Sequence, residues 1–331
     1  MPLIKLSNGT RFNSEPGESL LDAAYRASVV MAYSCRTGRC SSCKCKVIEG
    51  ESTALHEELG LSEREKADGW ILSCVRSATS DMRLEMGGLG GLTIPKVRTL
   101  PCRIHALEKL AVGVIKVVLR LPPTSDFVFL PGQYIDVIAQ GGIRRSYSLA
   151  NASAADKLLE LHIQEVPGGI MSEYWFCQAK VNDLLRLNGP LGTFFLRDVA
   201  ELDLVFIATG TGVAPVKSML ESIESLPIEN RPRSITVYWG GRKPADLYCD
   251  INSISGTHRY VPVLSRAGSD WSGARGYVQQ VLLAETSDLS ETVVYACGSS
   301  AMIQSSKDLL LTAGLPEQNF LSDAFVCSSS A

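Results

Sequence analysis

The 331-residue chain lacks the features that mark membrane, exported and nucleic-acid-binding proteins. It has no apolar run near the ~18 residues that span a bilayer, and its N-terminus has no charged segment leading into an apolar one. With 32 basic and 35 acidic residues, its net charge of −3 gives no electrostatic reason to bind nucleic acid. We therefore expect a cytoplasmic protein without membrane or nucleic-acid partners.

Cysteine is also too scarce for a disulfide scaffold, with 10 in 331 residues. Their spacing is nevertheless informative, because Cys35-x4-Cys40-x2-Cys43 followed by Cys74 matches the ligand spacing of plant-type 2Fe-2S clusters. A zinc site would require a second closely spaced pair of Cys or His residues. Only Cys74 is available for it, so zinc is the weaker alternative. Cys45, two residues past the loop, is predicted to be a packed thiol rather than a ligand.

The N-terminal part of the chain is predicted to be a small α+β domain over residues 1–90. Short strand-like runs surround helical segments there, and Ser62 with Glu65 forms a capping box before one helix. Four glycines between residues 87 and 91, closed by Pro95, indicate a connector, so residues 91–98 are predicted to be a linker.

Two further domains are predicted after the linker, which makes the expected fold multidomain. Residues 99–198 show period-2 strands bounded by glycine turns, which favours an antiparallel β-barrel. Residues 199–331 alternate apolar strands with helical stretches, which is typical of an α/β domain with a parallel sheet.

Two segments of the predicted barrel have the chemistry of a flavin site. Residues 144–149 (Arg-Arg-Ser-Tyr-Ser-Leu) offer a guanidinium for a pyrophosphate, a ring to stack and a hydroxyl to reach a ring nitrogen. On its own, a basic and aromatic strand end is more often part of the solvent-exposed surface than of a cofactor site. Residues 167–172 add a glycine turn that opens a helix, whose amides suit a phosphate. Together the two segments favour a nucleotide.

The third domain carries a dinucleotide signal. Residues 209–215 (Thr-Gly-Thr-Gly-Val-Ala-Pro) lie between a strand and a helix, as a dinucleotide loop must, although Ala-Pro stands in the third-glycine region. Further on, Cys297 ends a strand at the edge where open α/β sheets bind ligands. The four histidines are scattered without metal-like spacing, and the sequence gives them no role: His56, His105, His162 and His258.

In this order the motifs resemble the ferredoxin-NADP reductase superfamily with an N-terminal plant-type ferredoxin domain, over essentially the whole chain. Strings such as residues 214–219 and the closing residues 322–325 are similar to those of reductases in bacterial 3,6-dideoxysugar synthesis. Reductases of aromatic-ring oxygenases share many of these strings. The resemblance implies a ferredoxin-like (β-grasp) fold for the N-terminal 2Fe-2S domain. It also implies an oxidoreductase that passes electrons from NADH through FAD and a 2Fe-2S cluster to an acceptor protein.

The resemblance also implies the partners. The expected acceptor is the pyridoxamine-phosphate dehydrase of CDP-3,6-dideoxyhexose synthesis, and the alternative is a Rieske-type or other oxygenase component. NADH is expected rather than NADPH, although Arg242 and Lys243 could pair with a 2′-phosphate. A monomer would suffice. The acceptor is expected to dock near the cluster loop, because the stretch 34–48 contains four basic residues and no acidic one. These are Arg36, Arg39, Lys44 and Lys46.

The site residues are implied in the same way. Arg145 would bind the FAD pyrophosphate, Tyr147 would stack on the isoalloxazine, and Ser148 would lie near its N5 atom. The implied cofactor-binding residues are Arg145, Ser146, Tyr147, Ser148, Gly169, Met171, Ser172, Gly210, Thr211, Gly212, Cys297 and Gly298. The implied catalytic residues are Ser148, Cys297 and Asp323, the last in a proton network near the flavin. The implied cluster ligands are Cys35, Cys40, Cys43 and Cys74.

Overall fold

The structure is a computed structural model that describes residues 1–86, 94–152, 155–254 and 256–325. Two compact units are present, Met1–Ile94 with Asp323–Ala331, and Pro95–Ser322. The start of the predicted linker, residues 91–93, and Cys327 lie outside the described residues. The domain boundaries therefore stay predictions. No helix within the described ranges is long and apolar enough to cross a membrane.

The N-terminal unit is built on a five-stranded sheet. Its elements are β1 (Leu3–Leu6), β2 (Arg11–Asn13), α1 (Leu20–Arg26), β3 (Lys44–Glu49), β4 (Ser52–Ala54), α2 (Glu63–Ala67), β5 (Trp70–Leu72), β6 (Arg76–Ala78) and β7 (Met82–Glu85). The strand order is β2-β1-β7-β3-β5, and β4 pairs with β6. Alternate residues such as Ile4 and Leu6 enter the core, as strand periodicity requires. The predicted capping box of Ser62 and Glu65 begins α2.

A six-stranded antiparallel sheet follows. Its elements are β8 (Arg98–Ala111), β9 (Val114–Arg120), β10 (Tyr134–Ile138), β11 (Arg144–Ser148), β12 (Leu158–Gln164), α3 (Ile170–Glu173) and β13 (Leu184–Leu191). The strand order is β11-β10-β13-β8-β9-β12, which makes β11 and β12 the edges.

Residues of the predicted antiparallel β-barrel form an antiparallel sheet, but within the described ranges this sheet is not a closed barrel. A single isolated bridge, between Leu149 and Leu161, joins the two edge strands. Beside it, the side-chain amide of Asn151 donates to Leu158 O at 3.1 Å and accepts from Glu160 N at 2.9 Å. Because this side chain takes backbone groups that a longer ladder would use, the sheet is not closed by a continuous ladder.

The third sheet is mostly parallel. Its elements are β14 (Asp203–Thr209), α4 (Val213–Glu224), β15 (Ser234–Gly241), β16 (Arg259–Leu264), β17 (Ala274–Arg275), α5 (Val278–Glu285), β18 (Thr292–Ser299), α6 (Ser300–Thr312) and β19 (Phe320–Phe325). The strand order is β17-β16-β15-β14-β18-β19. The strands from β14 to β18 pair in parallel, with Ala208 beside Cys297. This register brings the carboxyl ends of β14 and β18 together at one edge, where such sheets bind ligands.

Candidate functional site

The four predicted cluster ligands come together in the N-terminal unit as two pairs of thiols. Cys35 N donates to Cys40 Sγ at 3.4 Å, and Cys43 Sγ donates to Cys74 Sγ at 3.2 Å. Within the described ranges, no three His, Cys, Asp or Glu side chains converge on one metal-ion position. Two pairs fit the two irons of a 2Fe-2S cluster, each of which takes two thiolates, better than a single four-coordinate zinc ion.

The loop between α1 and β3 supplies three of these thiols and is tightly folded. Gly38 has φ +73°, and a Cβ at this position would lie 2.5 Å from Glu57 O, so only glycine fits. Thr37 N donates to Cys35 Sγ at 3.4 Å, the kind of amide-to-sulfur contact that supports a bound cluster. A hydrogen bond with Cys40 lowers the pKa of Cys35 to about 5, which favours the thiolate form that binds metal.

The fourth ligand, Cys74, is held by an ion pair that the sequence analysis missed. Cys74 lies in a short 3-10 turn, Ser73–Val75, between β5 and β6. Arg76 Nη2 donates to Glu58 Oε2 at 2.6 Å, and Leu72 N donates to Glu58 Oε1 at 2.7 Å. The Glu58 side chain is only 5% exposed. One buried carboxylate thus fixes the chain on both sides of the ligand.

Replacing Glu58 with alanine is expected to destabilise the N-terminal unit by about 3 kcal/mol, because it leaves the Arg76 guanidinium without its buried partner. Iron should also be lost faster on incubation with a chelator. Glu49→Ala is the matched control, since Glu49 pairs with Arg83 at 3.5 Å on the exposed surface of the same sheet. That change should cost under about 1 kcal/mol in chemical denaturation. Equal losses for the two variants would contradict the role given to Glu58.

The positive charge of the stretch 34–48 is partly neutralised by acidic side chains. Arg36 forms an ion pair with Asp22, and Lys44 Nζ lies 2.8 Å from Glu65 Oε1. Lys44 also lies over the Trp70 ring, 4.6 Å from its centroid. These acids come from α1 and α2, outside the stretch in which the sequence shows only basic charges. The stretch 34–48 and its neighbours therefore carry less net positive charge than the stretch alone suggests. Docking of the acceptor at this loop stays a prediction.

The flavin motif lies on the edge strand β11, where the Tyr147 ring is half-buried against the core of the antiparallel sheet. Trp175 Nε1 donates to the Tyr147 hydroxyl at 2.9 Å, and the two rings meet edge to face at 6.1 Å. This contact fixes the tyrosine ring by its hydroxyl. In the described part of the chain, the Arg145 guanidinium pairs with no carboxylate, and its Nη1 donates to Arg144 O at 2.8 Å. A ring and a cation without a counter-ion fit the ring system and pyrophosphate of FAD.

Other residues of the predicted flavin set have contacts within the protein. Ser146 Oγ donates to Asp136 Oδ1 at 2.6 Å, and Ser148 is buried. Ser172 Oγ accepts from Val166 N at 2.8 Å, so this hydroxyl closes the glycine turn. Met171 is buried in the core of the antiparallel sheet. Their contacts with FAD stay predictions, and the helix that follows Gly169 has only four residues.

The dinucleotide motif forms a turn, Gly210–Gly212, between β14 and α4. A Cβ at Gly212 would lie 2.6 Å from the carbonyl carbon of Cys297 and 2.9 Å from Gly298 N, so the turn packs directly on the end of β18. Ser299 N donates to Thr209 Oγ1 at 3.2 Å and ties the same two strand ends. Gly210 has open space around its Cβ position, which leaves room for a ligand.

Two predicted catalytic residues occupy defined but different places. Cys297 is fully buried at the end of β18, beside the Gly210–Gly212 turn. Asp323 is buried and accepts a hydrogen bond from the hydroxyl of Ser34, the residue before Cys35. Burial raises the pKa of Asp323 to about 6 against the lowering effect of that hydroxyl. The structure thus groups Asp323 with the cluster loop, and its predicted place near the flavin stays a prediction.

Comparison with known proteins agrees with these three sites. Residues 4–79 match the 2Fe-2S iron-sulfur cluster binding domain, residues 101–196 the oxidoreductase FAD-binding domain, and residues 206–308 the oxidoreductase NAD-binding domain. The chain is 41% identical over 325 residues, 97% of each chain, to CDP-6-deoxy-L-threo-D-glycero-4-hexulose-3-dehydrase reductase of Yersinia pestis.

More distant matches also extend over nearly the whole chain. Identity is 32% to terephthalate 1,2-dioxygenase reductase component 1 of Comamonas sp, over 96% of this chain and 95% of that protein. The crystal structure of the Amycolatopsis cytochrome P450 reductase GcoB matches with a TM-score of 0.77 and 29% identity, over 98% of this chain and 99% of that one.

Proposed function

This chain belongs to the family of iron-sulfur flavoprotein reductases that join a 2Fe-2S domain to FAD-binding and NAD-binding domains, and we propose that its acceptor is a sugar-nucleotide dehydrase. Family membership confirms the predicted oxidoreductase class and the three cofactor-binding domains. When bound, the FAD exchanges two electrons with the nicotinamide and one at a time with the cluster.

The residues described above would hold these groups. Arg145 and Tyr147 would bind the pyrophosphate and the ring system of FAD. The backbone amides of the Gly210–Gly212 turn would face the dinucleotide, with Cys297 and Gly298 behind it. The two cysteine pairs would each hold one iron, and Glu58 keeps Cys74 in reach. A single chain carries all of these sites, so a monomer would suffice.

The similarity to the Yersinia pestis reductase carries the proposal for the acceptor. The identity of 41% over 97% of both chains exceeds the 32% to the terephthalate dioxygenase reductase. We propose that electrons pass to the pyridoxamine-phosphate dehydrase of CDP-3,6-dideoxyhexose synthesis. The second candidate is an oxygenase component, which the Comamonas match favours.

Reduction of the two acceptors side by side tests this proposal. The holoenzyme and NADH are mixed anaerobically with either the dehydrase and its CDP-hexulose substrate or a Rieske-type oxygenase component. We expect deoxygenated sugar nucleotide to form at a rate that saturates with dehydrase concentration, and slow reduction of the oxygenase. Faster and saturable reduction of the oxygenase would support the second candidate instead.

The preference for NADH is supported by Asp246, in the turn after β15. The Asp246 carboxylate accepts from Arg242 N at 2.7 Å and from Lys243 N at 3.1 Å. Two successive backbone amides are the donors that bind a phosphate in such a turn. Because a carboxylate already occupies them, a 2′-phosphate would meet a negative charge rather than free donors.

Asp246→Ala is therefore expected to raise the ratio of kcat/KM for NADPH to that for NADH by about tenfold, by releasing two donors and removing one repulsive charge. Asp250→Ala is the matched control, since Asp250 Oδ1 accepts from Asn252 N at 3.0 Å in the next turn. The control should leave the ratio unchanged. An unchanged ratio in Asp246→Ala would show that this carboxylate does not select the nucleotide.

A further inference from the structure

A group of polar side chains joins the antiparallel sheet to the nucleotide sheet inside the Pro95–Ser322 unit. His162 on β12 shares hydrogen bonds with Glu160 Oε1 at 2.8 Å, through Nε2, and with the Tyr248 hydroxyl at 3.0 Å, through Nδ1. Tyr248 lies in the segment between β15 and β16, two strands of the nucleotide sheet. The His162 side chain is only 2% exposed. This hydrogen bond is thus a buried link between the two sheets.

The chemistry of Glu160, His162 and Tyr248 determines which group donates and which accepts in each hydrogen bond of the link. An ionised carboxylate only accepts hydrogen bonds, so Glu160 places the proton of His162 on Nε2, and Nδ1 accepts from Tyr248. Burial acts to raise the pKa of Glu160, but the bond to His162 and the charge of Lys217 outweigh it and lower the pKa. Burial raises the pKa of Tyr248 well above its usual value, which keeps the donor proton on the hydroxyl.

Tyr248 continues the link to the dinucleotide turn. Its ring meets the Trp239 ring edge to face, with centroids 5.2 Å apart and an interplanar angle of 89°. Trp239 is fully buried, and its Nε1 donates to Gly210 O at 3.1 Å. A continuous series of contacts therefore runs from β12 to the turn that would bind the nicotinamide nucleotide.

The helix that follows the turn, α4, also forms polar contacts with the antiparallel sheet and the residues that follow β11. Lys217 Nζ on α4 lies 3.3 Å from Glu160 Oε1 and donates to Ala150 O at 3.1 Å. Ser218 Oγ donates to Asn151 O at 2.8 Å. The Gly210–Gly212 turn is thus connected to β12, and the helix after it to β12 and to the residues that follow β11, the strand with the flavin motif. The bridge between Leu149 and Leu161 joins β12 to the end of that motif.

We propose that His162 and Tyr248 are positioning residues, which set the distance between the dinucleotide turn and the flavin-binding strand and thereby the rate of electron transfer from NADH to FAD. The proposal rests on the proposed function. Transfer between two bound partners is steeply sensitive to their separation, and misplacement by about 1 Å can lower a rate by about 100-fold. This role could not be predicted from the sequence, because the four histidines show no spacing pattern.

Stopped-flow reduction of the holoenzyme by NADH tests the proposal in Tyr248→Phe and His162→Leu. Each variant should lower the limiting rate of flavin reduction by about tenfold, with the apparent Kd for NADH changed less than about twofold. His162→Gln, which keeps a polar side chain, should recover part of the rate. The later flavin-to-cluster phase should be unchanged. The double variant should be no slower than the slower single one, because both changes break one link.

A second measurement does not depend on turnover. Hydrogen exchange of the peptide that contains residues 209–212, in FAD-loaded protein without NADH, should be faster in Tyr248→Phe than in the wild type. Tyr238→Phe is the matched control, since its hydroxyl donates to Glu285 Oε2 at 2.8 Å within the nucleotide sheet alone. Tyr238→Phe also removes a tyrosine hydroxyl but leaves the hydrogen bond between His162 and Tyr248 in place. Its limiting rate of flavin reduction and its exchange at residues 209–212 should therefore match the wild type.

Two results would overturn the proposal. One is a Tyr248→Phe variant whose flavin reduction and exchange match those of Tyr238→Phe. The other is a rate loss that comes entirely from weaker NADH binding, with the limiting rate unchanged. If instead the wild type itself fails to reduce its flavin with NADH, the proposed function fails before the link is tested, so the two failures are distinguishable.

Discussion

Replacement of Cys74 by serine is expected to remove the iron-sulfur cluster and to leave flavin reduction by NADH intact. The Cys43 thiol would lose its 3.2 Å partner, and one iron would keep a single cysteine ligand. Iron and sulfide content should fall from about two of each per chain to near zero. Reduction of a one-electron acceptor protein should fall at least about 100-fold, because electrons reach it through the cluster.

Cys45→Ala is the matched control for this experiment. Cys45 lies on β3, is fully buried, and has a pKa that burial raises to about 12, as expected of a packed thiol. The variant should keep its iron and its absorption spectrum. Retention of the cluster in Cys74→Ser, or its loss in Cys45→Ala, would contradict the assignment of ligands. Zinc in place of iron in the purified wild type would contradict the cluster itself.

Alanine at Gly212 should have the second large effect, this time at the nucleotide end. The added Cβ would lie 2.6 Å from the carbonyl carbon of Cys297, so the turn must move away from β18. We expect a loss of about 2 kcal/mol in the free energy of unfolding, measured by chemical denaturation. Flavin reduction by NADH should fall about 100-fold, because the turn no longer holds the dinucleotide in place. Reduction of the same flavin by dithionite should be unchanged.

Gly314→Ala is the control that distinguishes the contact of residue 212 with Cys297 from the general effect of replacing a glycine. Gly314 follows α6 in the same sheet domain, has φ +99°, and has nothing within 4 Å of its Cβ position. Its replacement should cost about 1 kcal/mol through conformation alone, with normal reduction by NADH. If Gly212→Ala reduces its flavin as fast as this control, the packing of the turn on Cys297 has no part in binding the nucleotide.

The sequence could predict those parts of the site that depend on spacing along the chain. The four cysteines lie where their intervals place them, because a tight loop and one returning segment are enough to gather them. The turn at Gly210 also follows from its place between a strand and a helix. The contacts that hold these parts could not be predicted. Glu58 and Arg76 are 18 residues apart and follow no periodicity, and they meet only because the fold brings the loop that carries Glu58 next to the start of β6.

In the fold, too, local patterns could be predicted from the sequence, whereas contacts between distant residues could not. Alternation of apolar residues predicted strands, but no strand pattern specifies the Asn151 side chain, which takes backbone groups beside the single bridge between the two edges of the antiparallel sheet. The basic stretch around the cluster loop showed no acid because Asp22 and Glu65 reach it from other elements. Local sequence thus predicts elements and motifs, whereas pairings between distant side chains require the tertiary structure.

The pairing of Cys43 with Cys74 has one more consequence, for the unfolded chain. The two thiols are 31 residues apart, so an iron held by both would close a loop of that length. By the relation used for covalent cross-links, closing such a loop lowers the entropy of the unfolded state by the equivalent of about 3 to 4 kcal/mol. The cluster would then be a cross-link as well as an electron carrier, and its loss should loosen the N-terminal unit before the rest of the chain.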